Sequence, residues 1–385
     1  MDWEILQLNN QGFGVAVFHL GGTGYVSPSA HLELDVNDMP RFLVRNSAVY
    51  YANENHFSVA QLVAGAVEGP LINWEAQLNN KITQRAQTSQ LSETDFCFFT
   101  VASGKQLTLR LEELGDKFVV KPLDGTGGSQ NVRVFSAAQA AEAVRHVDAY
   151  VTGGGLMIAE SYLDGVEICH DGFVRQGVVK TFGVGRYAQT NEHPEICLGI
   201  LYSDEISAEL LGLVQLETER ILGALEYVQG PFHIEYKLGT FGLQLIEAHG
   251  RLGGSVLPEA LHRLNGYSAF QCITDGAPMF DREPQAVVIV DFVYGRRPGT
   301  FSSRGRKHLV SADNGSLYMF LSEEISGAPE GDEILRVGYL ATSGKTVGDA
   351  LETRDRRLAP FRYEAEIASE LIFDWSSVDT ATRGD

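Results

Sequence analysis

The sequence is short of positive charge: its 385 residues carry 30 Lys and Arg against 50 Asp and Glu, a formal net charge of -20. That balance argues against a nucleic-acid or anionic-membrane partner, whose phosphates need clustered basic residues. A small polyanion stays possible, because a few buried cations or a divalent metal can reverse the sign locally. Cysteine is scarce too. Cys97, Cys169, Cys197 and Cys272 stand far apart without a CxxC, which fits reduced thiols acting as small core residues rather than as ligands or nucleophiles. No apolar run reaches the roughly 18–20 residues of a membrane span. The start "MDWEILQLNN" lacks the basic stretch and apolar core of a signal peptide, so a cytoplasmic protein is expected. Repeats and low-complexity segments are missing. With 44% hydrophobic and 21% charged residues, the composition is that of a globular protein, long enough for roughly two or three domains.

What is present sharpens after residue 78. Before it, "GVAVFHL" and "FLVRNSAVYYA" read as strands and "FSVAQLVAGAV" as a helix. The glycines at 21, 22 and 24 read as a turn, because no helix opens behind them as a dinucleotide fingerprint requires. Beyond it, "NKITQRAQTSQLSE" reads as a helix and Lys117–Lys121 as a strand. Ser136 and Gln139 form a capping box for an Ala-rich helix, and "LMIAESYL" is the next strand. "EISAELLGLVQLETERILGAL" is amphipathic, with Ile206, Leu210, Leu213, Val214, Leu222 and Leu225 largely on one face. "GPFHIEYKLGTFGLQLIEAHGRLGG" reads as a β-hairpin. After about residue 285, "AVVIVDFVYG", "GSLYMFLSE" and "ILRVGYLATSG" read as strands and "TVGDALETRDRRLA" as a closing helix.

Two stretches carry chemistry. In "FVVKPLDGTGGSQNV", Lys121 ends a strand and Gly125, Gly127, Gly128 and Ser129 follow in a loop whose amides can approach an anion. The lysine precedes the glycines, so this is not a P-loop. In the hairpin, Glu235 lies on the polar side of "FHIEYK", and Glu247 and His249 share a side of "LQLIEAH". The "GTFG" turn sets Glu235 nearly opposite Glu247, about 5–8 Å apart at Cβ for a direct or diagonal pair. Two carboxylates so placed repel unless a cation lies between them, and hard oxygen donors suit Mg²⁺. The alternative is a solvated strand face with two ordinary glutamates. Arg251, set among Gly250, Gly253 and Gly254, could neutralise phosphate or a developing oxyanion. "CHDGF" reads as a turn holding His170 and Asp171.

Taken in order, these segments resemble the ATP-grasp superfamily over residues 78 to 365. The resemblance implies an α/β (α+β) ATP-grasp fold with a short N-terminal α/β domain (1–78), a lid subdomain with the glycine loop (79–163), a larger subdomain with the metal hairpin (164–284) and a C-terminal closing subdomain (285–385). It implies that Lys81 and Lys121 contact ATP phosphates under the loop Gly125–Ser129. Glu160 and the backbone around Ser161 and Leu163 would hold adenine, and Glu167 the ribose. Glu235 and Glu247 would bind Mg²⁺. Arg251 would stabilise the oxyanion, with His249 standing where the family pattern has Asn; imidazole suits Mg²⁺ poorly, so His249 would contact phosphate or substrate, or favour Mn²⁺.

Within the superfamily the chain most resembles the L-amino-acid ligases of dipeptide and natural-product pathways. That implies an enzyme joining a carboxylate to an amine through an acyl phosphate, with release of ADP and phosphate. A homodimer is a possible assembly. His193 and His249 are candidates for accepting the amine's proton. Another ATP-grasp reaction, on a carrier-protein substrate or as a carboxylase, is the alternative, and a non-catalytic nucleotide-binding module is disfavoured by the complete set of charged residues.

Overall fold

The computed structural model describes residues 49–50, 71–72, 74, 78, 80–91, 96–123, 131–189, 197–203, 206–254, 257–269, 272–273, 278, 280, 283–295, 309–312, 315–319 and 335–358. In chain order, β1 (Val49–Tyr50) pairs in parallel with β2 (Leu71–Ile72). Then come α1 (Lys81–Thr88), β3 (Phe98–Val101), α2 (Gly104–Arg110), β4 (Lys117–Pro122), β5 (Arg133–Ser136), α3 (Ala140–Thr152) and β6 (Met157–Ser161). The long strands β7 (Val166–Arg175) and β8 (Val178–Gln189) precede β9 (Cys197–Ser203), α4 (Ala208–Ala224), β10 (Gln229–Gly239) and β11 (Gly242–His249). Last are α5 (Leu257–Asn265), β12 (Val287–Gly295), β13 (Leu309–Ala312), β14 (Gly315–Met319), β15 (Leu335–Gly344) and α6 (Val347–Leu358). Among the described residues no helix is long and apolar enough to cross a membrane.

The chain folds into two compact units made of interleaved segments. One comprises Trp74–Cys197 and Ile206–Arg251 and carries every described candidate site residue. It holds an antiparallel sheet in the order β3-β6-β4-β5, whose core gathers Phe118, Val120, Phe135 and Met157 with Leu107 of α2 and Val147 of α3. Ser136 and Gln139 make the expected capping box, ahead of a single 3₁₀ turn that leads into α3. The same unit contains the antiparallel run β11-β10-β7-β8. α4 is capped by the Ser207 side chain, which accepts from the Leu210 amide. It buries Leu210, Val214, Thr218, Ile221 and Leu222, a 3.6-residue stripe packed on Phe232, Ile234 and Tyr236 of β10. The second unit pairs β12 antiparallel to both β9 and β15, with β14 and β13 following. All three strands expected after residue 285 are present there, with β13 added.

One expectation is corrected. His170 and Asp171 lie inside β7, not in a turn. The apparent break "CHDGF" is a continuous buried strand, in which Asp171 pairs with His233 of β10. The readings over residues 1–48, the helix "FSVAQLVAGAV", Gly125, Gly127, Gly128, Ser129 and His193 lie outside the described residues.

Candidate active site

The hairpin register places Glu235 directly opposite Glu247 and His233 opposite His249. A bulge brings this about. Tyr236 pairs with Leu245, so Ile246 is an extra residue in β11. Strand side chains alternate between faces, and Leu243 and Leu245 both face the apolar core. If Ile246 were paired in a regular ladder, Glu247 would fall opposite Ile234 and continue that series inward. The bulge reverses the parity: Ala248 enters the core instead, and Glu247 and His249 join the face of His233 and Glu235.

That face continues across the sheet. In register beside His233, Glu235 and Lys237 stand Asp171, Cys169 and Glu167 of β7. Lys237 Nζ is 3.0 Å from Glu167. His233 Nδ1 lies 2.9 Å from Asp171 Oδ1 and its Nε2 3.4 Å from Glu235 Oε1. The Tyr187 hydroxyl donates to Glu235 at 2.7 Å. Burial disfavours a charged His233, but Asp171 and then Glu235 outweigh it and raise its pKa to about 10. An imidazolium therefore sits between two carboxylates. Glu235 is held below the usual carboxylate range by that imidazolium, against burial. Cys169, Asp171 and His233 bring one ligand atom each within 4.8 Å of one another; a metal there would have to displace the proton that His233 shares with Asp171. On the opposite face His170 is a core residue, bonded to Thr218 and Thr181 at 2.7 and 2.9 Å. Burial lowers its pKa to about 4.

α1 completes the site. Asn80 caps it by accepting from the Thr83 amide at 2.9 Å. Its buried stripe is Lys81, Gln84, Arg85 and Thr88, the spacing of a core-facing stripe but made of polar residues. This stripe lies along β11. The Gln84 side-chain amide donates to the Ala248 carbonyl at 2.7 Å and accepts from the Ala248 amide at 2.9 Å, in the manner of a neighbouring strand. Lys81 Nζ is 2.9 Å from Glu247 Oε1 and His249 Nε2 is 3.2 Å from the same oxygen. Burial opposes ionisation of Glu247, yet His249, Lys81 and Lys121 hold its pKa well below 4.5.

Lys121, at the end of β4, reaches Glu160 of β6 at 2.8 Å and the Ile246 carbonyl at 3.5 Å. Arg85 grips the same carboxylate from the other side, Nε to Oε1 at 2.6 Å and Nη2 to Oε2 at 3.1 Å. Burial raises the Glu160 pKa, but Arg85 and then Lys121 lower it to about 2. Lys121 shifts down as well, because burial and the nearby guanidinium outweigh Glu160. Ser161 caps the strand end, its amide donating to the Cys97 carbonyl at 2.9 Å and its hydroxyl accepting from the Cys97 amide at 3.2 Å. Leu163 lies in the connection to β7. Arg251 is buried two residues beyond β11.

No protein-family model matches the sequence, and no curated protein matches it. Solved structures do. An L-amino acid ligase from Bacillus licheniformis superposes with a TM-score of 0.59 at 20% identity, covering 80% of this chain and 78% of that one. A carboxyaminoimidazole ribonucleotide synthase from Aspergillus clavatus, complexed with ATP, gives 0.59 at 16% identity over 84% and 83%. An N5-carboxyaminoimidazole ribonucleotide synthetase from Thermus thermophilus gives 0.54 at 17% over 89% and 87%. The chain has the ATP-grasp fold. On this fold the structure brings Lys81, Lys121, Glu160, Glu235, Glu247 and His249 into one connected set of charges, with Glu167 on the same sheet face. Arg85, His233, Asp171 and Tyr187 were not singled out from the sequence for this cluster. The signal was there in part: Arg85 and Lys81 share a stripe in which four of four buried residues are polar.

Proposed function

We propose that this chain is an ATP-dependent carboxylate–amine ligase, forming an amide between amino acids or similar small substrates in the cytoplasm. What supports the reading is the face on which two ionised carboxylates, Glu235 and Glu247, stand opposed across a hairpin with Lys81, His249 and Lys121 close around them. The donor set fits Mg²⁺: both ligands are hard oxygens already held in the ionised form. When bound there, the ion would neutralise charge on the phosphates of ATP.

The chain's own residues would do the rest by positioning and charge. Lys81 and Lys121 would bind phosphate oxygens. The substrate carboxylate attacks the γ-phosphorus, forming a carboxyl O–P bond as the bond to ADP breaks. The amine then attacks the acyl carbon, loses one proton and expels phosphate. Arg251 would hold the oxyanion of the tetrahedral intermediate, and His249, in its neutral form, or His193 would accept the proton. The purified protein should release ADP and phosphate only when metal, ATP and both substrates are supplied. Assaying ADP against pairs of amino acids, with bicarbonate and a carrier-protein thioester as competing panels, tests it. AMP and pyrophosphate as products would rule out the acyl-phosphate route, and turnover confined to bicarbonate would move the chain to a carboxylase.

A further inference from the structure

Arg85 and Lys121 share one buried carboxylate but are anchored very differently. Besides its two bonds to Glu160, the Arg85 guanidinium donates through Nη1 to the Leu245 carbonyl and through Nη2 to the Ile246 carbonyl, the latter at 2.7 Å. It is thus fixed to α1 by its backbone, to β6 through Glu160 and to β11 through the carbonyls at the bulge. Its side chain is 7% exposed. Lys121 has one short contact, Glu160 at 2.8 Å, and one long one at 3.5 Å. Glu160 is 4% exposed at its side chain, so it cannot turn to water if a partner leaves.

We infer that Arg85 is a positioning residue that keeps Glu160 neutralised, so that Lys121 can leave the carboxylate and bind the nucleotide's phosphates. The inference rests on the proposed nucleotide binding. The physical argument concerns the state after Lys121 has moved. A buried ion pair that loses one partner leaves an uncompensated charge, which is strongly unfavourable. With Arg85 in place that penalty does not arise, because a planar guanidinium gripping both carboxylate oxygens satisfies Glu160 alone. Without it, Lys121 is the sole counter-ion of a buried carboxylate and every phosphate contact it makes must first break that pair. Arg85 touches neither phosphate nor substrate in this scheme; it acts through Glu160.

The test is calorimetric ATP binding by the full chain in wild type, Arg85→Gln, Arg85→Lys, Glu160→Gln and the Arg85→Gln/Glu160→Gln double variant. Arg85→Gln should weaken ATP at least about tenfold, or about 1.4 kcal/mol. Arg85→Lys should fall between, since it keeps the charge but loses the bidentate grip. The double variant should bind ATP more tightly than Arg85→Gln, because removing the carboxylate's charge removes the reason Lys121 is trapped. A merely structural arginine predicts the opposite, with the double variant as weak as the single or weaker, and that result would overturn the inference. In turnover the Arg85→Gln defect should appear in the KM for ATP more than in kcat. If wild type binds no ATP, the functional reading and this inference fall together; if wild type binds and the double variant shows no recovery, only the inference falls.

Discussion

Replacing His233 by Gln should flatten the alkaline side of the stability curve. In the wild type the ring lies 2.9 Å from Asp171 and 3.4 Å from Glu235. Burial works against its charge, but the two carboxylates raise its pKa from 6.5 to about 10. The other groups facing it do not cancel this. Tyr187, 3.3 Å from Nε2, is pushed well above its ordinary pKa chiefly by burial, and His249 lies 6.3 Å away, ring centroid to centroid. A basic group whose pKa is raised on folding contributes stability that is complete below the unfolded value and disappears as pH rises through the folded one. The window therefore runs from 6.5 to about 10. At about 1.4 kcal/mol for each tenfold gain in proton affinity, the contribution is about 5 kcal/mol. For a unit of this size that is a fall of about 10–20 °C in melting temperature, at about 2–4 °C per kcal/mol. The assay is urea and thermal unfolding across that window, with a chelator present so that metal at Glu235 does not intervene. His233→Gln should start less stable and then change little; an Asp171→Asn/His233→Asn pair, which removes the fully buried carboxylate along with the ring and leaves only the more exposed Glu235, should be flat and more stable than His233→Gln alone. A single variant with the full wild-type slope would refute the reasoning.

The acid side should belong in part to Glu160, whose folded pKa is about 2 against an ordinary 4.5. Its contribution is present above 4.5 and lost as pH falls toward 2, and Glu160→Gln should remove that loss in an acid unfolding series. Glu235→Gln and Glu247→Gln should fold but need far more metal, at least the roughly 10–100-fold typical of losing even an outer-shell partner; near-normal activity of both at limiting metal would clear the hairpin of a metal role. Arg251→Lys should be nearly as damaging as Arg251→Ala, with a loss of roughly 10²–10³ in kcat and little change in KM, because the lysine lacks the planar fork. A fully active Arg251→Lys enzyme would remove Arg251 from the catalytic residues.

The hairpin was legible in the sequence because its information is local. A turn at Thr240–Phe241 closes between Gly239 and Gly242, and alternation in β10 turns Glu235 away from the core; in β11 alternation alone would set Glu247 beside Leu243 and Leu245. The bulge was not legible, since nothing in "LQLIEAH" marks Ile246 as the unpaired residue; only the packing of Leu245 and Ala248 into one core does so. Helix α1 was readable as a helix through Asn80 and its good helix formers, but its purpose was hidden. A polar stripe looks like a solvated face until a sheet edge is laid against it. Asp171 and His170 were misplaced for a related reason. A polar pair beside a glycine has the composition of a turn, and only the partners on neighbouring elements, Thr181, Thr218 and His233, make it tolerable inside a sheet.

The single inserted residue at 246 has a further consequence for how this sequence can drift. Its carbonyl receives Arg85 and Lys121, a role that does not depend on its side chain. Position 246 can therefore vary in kind and still serve. Its deletion is a different matter: the ladder would close up with Glu247 still opposite Glu235 and Ala248 still opposite Ile234, but the carbonyl that Arg85 and Lys121 share would be lost and the buried guanidinium would be left short of an acceptor. Homologous chains can be expected to differ freely in the letter at this place while keeping the spacing around it fixed. Length here is under tighter constraint than chemistry.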